Sequence, residues 1–339
     1  MKAAVLERFG ADLALREVPD PTPGPGEVIV RTRAAGVCRT DLKVIDGLVK
    51  TVEPPRIPGH EIAGEVVALG TGVTTASEGD EVVVGLDVSC GVCHYCRIGE
   101  LDHCDALRRL GMELDGGLAE YVRAPAANLV PRPGSMDPAV AATIGDAVGT
   151  PYHAVVHHAE VAPGHVVAVY GLGGLGLTAV QAARLAGADV IAIARTPRRR
   201  ELATELGARW AIDPNDGPVA DQIRELTGGL GVHAFLDIVG IEGSIEQAVL
   251  SCRKGGRVIV AGYSTPEVVA PMVPMVYNEV SITGTRGSTR KELHEVVDLV
   301  AAGKIVPVVG ERLELDDVNG ALARLRDGQT IGRPVVTFP

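Results

Sequence analysis

The feature that most constrains the fold is the stretch VVAVYGLGGLGLTAVQAARLAGADVIAIAR at residues 166–195. Val166–Tyr170 is apolar and predicts a buried parallel strand, and Val190–Ala194 predicts a second one. Between them, a helical run ends at Gly187 and follows a G-x-G-x-x-G turn made by Gly171, Gly173 and Gly176. This order is typical of a Rossmann unit, in which glycine lets a dinucleotide pyrophosphate approach the helix N-terminus.

The end of the second strand indicates which dinucleotide is bound. An acidic residue there would hydrogen-bond the ribose 2′-hydroxyl of NAD, but the strand ends in Ala194 and continues into RTPRRR at residues 195–200. A guanidinium can bind phosphate bidentately, so Arg195 is a candidate for the 2′-phosphate of NADP. The alternative for Arg198 to Arg200 is that they only begin a solvated helix. The sequence favours NADP over NAD.

Composition and charge narrow the class of protein. The 339 residues correspond to about two domains, and 46% of them are hydrophobic. A net charge of −11 without long runs of one sign argues against nucleic acid as a partner. The N-terminus lacks the apolar core of a secretory signal, and the most apolar run contains Gln181, Arg184 and Asp189. We therefore expect a cytoplasmic protein without a membrane partner, a setting that disfavours disulfides.

Four cysteines lie close together in SCGVCHYCRIGELDHC, residues 89–104. Cys90, Cys93 and Cys96 are each separated by two residues, and Cys104 follows after a longer loop. This spacing directs four thiolates at one ion and leaves no coordination position open, so it predicts a structural zinc site. A redox role is disfavoured because a dithiol switch needs fewer cysteines.

A second metal signal is spread along the chain in GVCRTDL (36–42), PGHEIAGEV (58–66) and GDAVGTPYHA (145–154). Cys38 offers a thiolate, His60 an imidazole and Asp146 a carboxylate. Three such ligands would leave the fourth position for water or substrate, which is the pattern of catalytic zinc. Each piece alone is a weak signal, and only the combination is informative.

The chain resembles the zinc-dependent alcohol dehydrogenases of the medium-chain dehydrogenase/reductase superfamily. Its GHE pair, its four-cysteine segment and its GLGGLG turn follow one another in the order found in that family. The resemblance runs from GPGEVIVRTRAAGVCRTDL near the N-terminus to GRPVVTF near the C-terminus. It implies that Cys38, His60 and Asp146 ligate catalytic zinc, although many members have cysteine in place of Asp146. It further implies that Glu61 can approach the metal and that the Asp41 carboxylate orients His60.

The resemblance also implies a proton relay. Zinc would stabilise the alkoxide of the alcohol while hydride leaves for the nicotinamide, and Thr40 would begin the path of the proton by way of the nicotinamide ribose. Lys43 stands where many relatives have histidine. An unperturbed lysine titrates near ~10.4, so it is an acid suited to carbonyl reduction and a poor base unless burial or positive charge lowers its pKa. Alternatively, Lys43 only binds the ribose and protons leave through water.

The remaining residue roles concern cofactor and substrate. Arg39 and Arg333 match positions near the cofactor pyrophosphate, and Thr150 matches one near the nicotinamide. Val49 and Leu86 match positions that line the substrate pocket, which we expect to be aliphatic because aromatic residues make up only 3% of the chain. The further cofactor contacts that the resemblance implies are Gly174, Leu175, Thr196, Arg199, Ile238, Gly262 and Thr285.

The predicted fold is α/β, with a doubly wound parallel Rossmann sheet beside a β-rich GroES-like catalytic domain. Residues 1–147 form the catalytic domain with its structural zinc lobe at about 86–106, residues 148–287 the Rossmann domain, and residues 288–339 return to the catalytic domain. Substrate would bind in the cleft between the domains. We expect two zinc ions per chain and a homodimer or homotetramer.

The predicted activity is reversible hydride transfer between NADP(H) and an alcohol, aldehyde or ketone, with the substrate left open. Reduction of an activated C=C bond is an alternative that would favour loss of a zinc ligand or of Thr40. An NAD-dependent polyol dehydrogenase would favour Glu over Asp146 and an acid at Ala194. A non-enzymatic, crystallin-like role would predict an eroded relay.

Overall fold

The computed structural model describes residues 1–264 and 267–339, which form two compact units. Unit 1 comprises Met1–Gly149, Gly287–Gly303 and Pro307–Pro339, whereas unit 2 comprises Thr150–Arg286 and Lys304–Val306. Within the described part of the chain, no helix combines the length and the apolar character needed to cross a membrane.

The first stretch of unit 1 is rich in strands. They are β1 (Lys2–Val5), β2 (Ala14–Glu17), β3 (Glu27–Gly36), β4 (Glu61–Leu69), β5 (Glu81–Val84), β6 (Asp87–Val88), β7 (Arg108–Arg109), β8 (Tyr121–Pro125) and β9 (Leu129–Pro131). The helices of this stretch are short. They are α1 (Arg39–Ile45), α2 (His94–Ile98) and α3 (Pro138–Thr143), with 3-10 turns at Leu101–His103 and Ala126–Asn128 and a π-helical turn at Ile144–Val148.

A continuous helical region, α4 (Gly149–His153) and the π-helical turn Ala154–His158, precedes alternating strands and helices. The strands are β10 (Val166–Tyr170), β11 (Asp189–Ile193), β12 (Trp210–Ile212), β13 (Val232–Asp237), β14 (Cys252–Val260) and β15 (Ser281–Gly284). The helices are α5 (Gly174–Leu185), α6 (Pro197–Glu205), α7 (Val219–Leu226), α8 (Ser244–Ser251) and α9 (Met272–Tyr277).

The C-terminal stretch returns to the sheet of unit 1. Its elements are α10 (Arg290–Ala301), β16 (Val309–Leu313), a 3-10 turn at Leu315–Asp317, α11 (Val318–Arg326) and β17 (Arg333–Thr337). The strands of the large sheet lie in the order β16-β17-β3-β4-β5-β9, and β8 also pairs with β3. Because β17 pairs antiparallel with β3, the C-terminal strand lies beside the segment that leads to Cys38.

Unit 2 contains a six-stranded parallel sheet in the order β12-β11-β10-β13-β14-β15. The chain starts in the middle at β10, winds outward through β11 and β12, and then crosses back to β13, as in a doubly wound Rossmann sheet. Fully buried apolar side chains such as Ile191, Phe235 and Val258 form its core. The predicted fold class is confirmed for this unit, and β10 begins and ends at the predicted residues.

Candidate active site and metal centres

The first metal centre begins at the start of α1. Cys38 is the residue before the helix, and its backbone N–H donates to Oδ2 of Asp41 at 2.7 Å. The other oxygen of Asp41 lies 3.2 Å from Nδ1 of His60. A carboxylate only accepts hydrogen bonds, so Nδ1 carries the proton and Nε2 is left as the ligand nitrogen. One buried carboxylate therefore orients two of the proposed ligands.

Four potential ligands lie together in this centre: Cys38, His60, Glu61 and Asp146, whose ligand atoms all lie within 4.8 Å of one another. Oδ2 of Asp146 is 3.5 Å from Nε2 of His60 and 3.6 Å from Sγ of Cys38. Burial raises the pKa of the Cys38 thiol, but Arg333 and His60 outweigh this effect, so its pKa lies below the ordinary value. Thiolate, imidazole and carboxylate form a donor set that fits zinc.

Glu61 is the second acidic member of the cluster. Its side chain is fully buried, and burial raises its pKa well above the ordinary value even though Arg333 opposes this shift. Nη2 of Arg333 lies 2.8 Å from Oε1, but within the described residues no aligned hydrogen bond satisfies either carboxylate oxygen. Buried acceptors without a donor favour a cation at this position.

Arg333 was predicted near the cofactor pyrophosphate, and the structure adds a contact that sequence reasoning missed. Its side chain is buried, and besides Glu61 it lies 3.5 Å from Oδ2 of Asp146. The pyrophosphate contact stays a prediction. The contact between Arg333 and Glu61 follows from the order of three strands. Arg333 is the first residue of β17, and Glu61 is the first residue of β4. Both strands pair with β3.

Helix α1 presents the predicted relay residues next to this centre. Thr40 and Lys43 are three residues apart, so they lie on one face of the helix. Both are half-buried, whereas Arg39 is exposed and donates to the carbonyl oxygen of Leu325 at 3.3 Å. Burial, helped by the positive charge of Arg39, lowers the pKa of Lys43 below the ordinary value despite opposing effects of Cys38 and Asp146. At a given pH, a larger fraction of Lys43 is therefore neutral, and able to accept a proton, than of an exposed lysine.

The second metal centre consists of Cys90, Cys93, Cys96 and Cys104, whose sulfur atoms lie within 4.8 Å of one another. The 4.0 Å between Sγ of Cys90 and of Cys96 is close to the ~3.8 Å edge of a tetrahedron built on Zn–S bonds of ~2.3 Å. Backbone hydrogen bonds from Cys96 and Asp105 lower the pKa of Cys93 to about 6, whereas desolvation and neighbouring thiols raise that of Cys96 to about 11. Four cysteine sulfurs grouped in this way form a closed donor set that fits zinc.

In unit 2, the glycine turn joins β10 to α5. Gly171 has φ of +99°, a left-handed conformation that favours glycine, and a Cβ at Gly176 would overlap the carbonyl oxygen of Gly171. Gly173 precedes the helix, and Gly174 and Leu175 open it with their N–H groups pointing out of its N-terminus. The turn therefore brings backbone N–H groups to the start of α5, and the pyrophosphate contact stays a prediction.

Other predicted cofactor residues lie at the same edge of the sheet. Each follows a parallel strand within three residues: Arg195 and Thr196 follow β11, Ile238 follows β13, Gly262 follows β14 and Thr285 follows β15. A Cβ at Gly262 would overlap the carbonyl oxygen of Ile238, so these two backbones are in contact. Carboxyl ends of parallel strands meet at one edge, which is where open α/β sheets bind ligands.

The arginines after β11 differ in what they contact. Arg195 is exposed, and the structure describes no contact of its guanidinium within residues 1–264 and 267–339. Arg200 binds Asp213 at 2.6 Å and donates to the carbonyl oxygens of Ala194 and Arg195. Arg198 contacts two glutamates of its own helix, whereas Arg199 is half-buried on that helix. Sequence reasoning missed that Arg200 holds the backbone of Arg195.

The predicted substrate and nicotinamide residues are found in different surroundings. Leu86 is buried and lines a cavity of about 170 Å³ in unit 1, together with Gly145 and Leu293. Val49 instead packs against the apolar core that includes Leu42. Thr150, in α4, is buried. Their roles stay predictions.

Comparison with known proteins agrees with this geometry. The model of the zinc-binding dehydrogenase family matches residues 174–302, and that of the alcohol dehydrogenase GroES-like domain matches residues 24–134. An alcohol dehydrogenase of Geobacillus stearothermophilus is 39% identical over 99% of both chains. The chain belongs to the zinc-binding alcohol dehydrogenase family. This enzyme is therefore a zinc-dependent alcohol dehydrogenase with two zinc sites, and its unit 1 contains a GroES-like domain.

Solved structures share the whole fold of this dehydrogenase. A crystal structure of an NAD-dependent alcohol dehydrogenase superposes with a TM-score of 0.94 at 32% identity and covers 100% of both chains. A putative zinc-binding dehydrogenase from Sinorhizobium meliloti 1021, bound to NADP, gives a TM-score of 0.89 at 29% identity over 99% of both chains. Structural relatives with either nicotinamide cofactor therefore exist.

Proposed function

We propose that this alcohol dehydrogenase uses NADP(H) in preference to NAD(H) and reduces small apolar aldehydes or ketones. The observation that carries the cofactor preference is the exposed Arg195, two residues after the end of β11, where Ala194 stands in place of a carboxylate. Arg200 supports it because its contact with Asp213 fixes the backbone of Arg195. Of the neighbouring arginines, Arg198 contacts Glu205 and Arg200 contacts Asp213.

The residue roles follow from the first metal centre. Cys38, His60 and Asp146 hold the catalytic zinc, and Asp41 keeps the imidazole in the tautomer that ligation needs. When bound, zinc and nicotinamide supply the Lewis acid and the hydride carrier. The Glu61 carboxyl lies beside the ligands, and the Arg333 guanidinium faces it at 2.8 Å.

The proton path is the second part of the proposal. Thr40 exchanges the proton at the substrate oxygen, and Lys43 accepts or donates it one helical turn further on. The lowered pKa of Lys43, caused mainly by burial, supports both directions of transfer better than an exposed lysine would. Alternatively, Lys43 only binds the nicotinamide ribose. The variants Lys43→His and Lys43→Ala distinguish this role from proton transfer.

The assembly of this enzyme is proposed to be a homodimer or homotetramer. β15 is the last strand in the order of its sheet, and the adjoining α9 exposes apolar side chains, with Tyr277 at 81% and Val276 at 63% exposure. An edge strand beside exposed apolar residues suits pairing with the same strand of a second copy. Light scattering of wild type and of Ile282→Lys, a change in β15, tests this; an unchanged mass would contradict it.

The proposed activity is tested by a panel of alcohols, ketones and enones with NADPH and with NADH. We expect ketone or aldehyde reduction with NADPH at the highest kcat/KM and no enone C=C reduction. A wild type that prefers NADH would contradict the cofactor proposal. Dominant enone reduction would support the C=C reductase alternative instead.

A further inference from the structure

Unit 2 contains a second cavity that lies away from the cofactor edge of its sheet. The cavity has a volume of about 500 Å³, within the ~300–1,000 Å³ typical of small-molecule sites. Its lining includes Val166, Trp210 and Cys252, which open β10, β12 and β14. In a parallel sheet these residues lie at the amino edge, whereas the glycine turn follows the opposite, carboxyl ends of the strands. A five-residue strand spans about 17 Å, so the two sites are separate.

One side of the cavity is apolar. Trp210, the only tryptophan of the chain, lines it beside Leu226 and Leu230, and Leu230 is 74% exposed. The guanidinium carbon of Arg209 lies 4.3 Å from the centroid of the Trp210 ring, a stacking contact that orients the indole. An exposed leucine next to an oriented ring offers a surface for a planar apolar group.

The other side of the cavity is cationic. Arg224, Arg253 and Lys254 line it, and none of the lining residues in the described chain is acidic. Within residues 1–264 and 267–339, the guanidinium of Arg224 donates to the carbonyl oxygens of Gly229 and Leu250, at 2.9 and 2.8 Å, and contacts no carboxylate. Three positive charges without an acidic residue in the described lining, in a chain of net charge −11, favour an anionic ligand.

Arg253 has a histidine beside it, and this neighbour brings no negative charge to neutralise the guanidinium. Nη1 of Arg253 lies 2.6 Å from Nε2 of His233, whose ring stacks on His165 with centroids 4.2 Å apart. Burial, together with the charge of Arg253, lowers the pKa of His233. The histidine is therefore neutral at physiological pH, and Arg253 keeps its full charge for a ligand.

We propose that this cavity binds a small aromatic carboxylate. Its ring lies against Trp210 and Leu230, and its carboxylate contacts Arg253 and Lys254. The carboxylate forms charge-assisted contacts with the cationic side of the cavity. The planar ring packs against the indole on the other side, so one ligand contacts both sides. The site lies at the amino edge of the sheet, opposite the glycine turn.

The location of the only tryptophan supplies a direct test. Benzoate is titrated into the zinc-loaded, full-length enzyme while tryptophan emission is recorded, with benzamide as the uncharged analogue. We expect a saturable emission change with benzoate and binding of benzamide weaker by at least about tenfold, the loss of one charge-assisted contact. No emission change and no heat of binding in calorimetry would overturn the proposal.

Variants separate this cavity from other anion sites on the enzyme. Lys254→Gln and Arg253→Gln should each weaken benzoate binding, whereas Lys304→Gln, an exposed lysine of the same unit outside the cavity, should not. Alcohol oxidation and the thermal midpoint serve as controls that each variant is folded. A benzoate response that persists at wild-type affinity in both cavity variants would overturn the proposal.

Discussion

Nη2 of Arg333 lies 2.8 Å from Oε1 of Glu61, and both side chains are buried, at 5% and 0% exposure. The pair connects the first residue of β17 with the first residue of β4, inside the cluster that contains the proposed ligands Cys38, His60 and Asp146. Burying a carboxylate is costly unless a cation is near, so the arginine and the metal centre depend on each other.

Removing the cation of this pair should destabilise the dehydrogenase strongly. Arg333→Leu leaves Glu61 buried without its partner, and breaking a buried pair in this way costs about 3–5 kcal/mol. The double variant Arg333→Leu/Glu61→Leu should recover much of this loss. Urea unfolding of the three zinc-loaded proteins measures both effects. If Arg333→Leu is as stable as Arg333→Leu/Glu61→Leu, Arg333 does not stabilise the fold by pairing with Glu61.

Metal content should be two zinc ions per chain. Cys96→Ser should lower it to one and destabilise unit 1, because three thiolates hold zinc less firmly than four. Cys252→Ser, which lies outside both metal centres, is the matched control and should retain both ions. Metal analysis together with thermal unfolding gives the answer. One equivalent in fully active wild type would rule out the structural assignment.

Asp146→Asn should remove activity while leaving the four-cysteine centre intact. The carboxylate of Asp146 lies 3.5–3.6 Å from Cys38, His60 and Arg333. Its loss therefore weakens the first metal centre and leaves the four-cysteine centre unchanged. We expect a loss of kcat for ketone reduction with little change in the thermal midpoint. Wild-type kcat in this variant would exclude Asp146 as a ligand.

Cofactor preference should depend on Arg195. Losing one charge-assisted contact to phosphate costs roughly 1.5–3 kcal/mol, so Arg195→Ala should weaken NADPH binding by about ten- to more than a hundredfold. NADH binding should change little. Arg198→Ala is the control, since its guanidinium contacts Glu201 and Glu205. Equal losses for both cofactors would contradict the 2′-phosphate contact.

Lys43 should set the pH dependence of the reaction. Its pKa is lowered, mainly by burial, so the neutral amine forms at lower pH than in an exposed lysine near ~10.4. Alcohol oxidation should therefore rise with pH at a midpoint below that value, and reduction should be favoured on the acid side. Profiles of kcat against pH in both directions measure this.

Two substitutions distinguish the roles of Lys43. Lys43→His should move the oxidation rise towards neutral pH, because an imidazole titrates near ~6.5. Lys43→Ala should slow reduction by up to the ~10²–10⁴-fold that a general acid contributes, although water can substitute in part. If Lys43→Ala changes only the cofactor KM, the lysine binds the ribose and is not part of the relay.

Local patterns in the sequence were sufficient for much of the fold. Val166–Tyr170 was predicted as a strand and is one, because an apolar run bounded by a glycine turn has few other structures available. The four-cysteine cluster also follows from spacing alone, since Cys90 to Cys104 lie in one loop region. In both cases the residues that determine the structure are near neighbours in the chain.

Contacts between distant segments could not be predicted in the same way. Nothing near Arg333 in the sequence indicates Glu61, because their proximity depends on the order of β17, β3 and β4 in the sheet. The contact between Arg200 and Asp213 likewise depends on β12 lying beside β11. The sequence showed a row of arginines, and only the tertiary structure shows which of them are neutralised.

The return of the C-terminal stretch to unit 1 has a consequence for synthesis on the ribosome. Unit 2 is nearly continuous in sequence, so it can fold while the last strand is still within the exit tunnel. Unit 1 cannot, because β17 completes its sheet and brings Arg333 to Glu61. Until β17 emerges, the nascent chain holds the acidic cluster of Glu61 and Asp146 without its arginine.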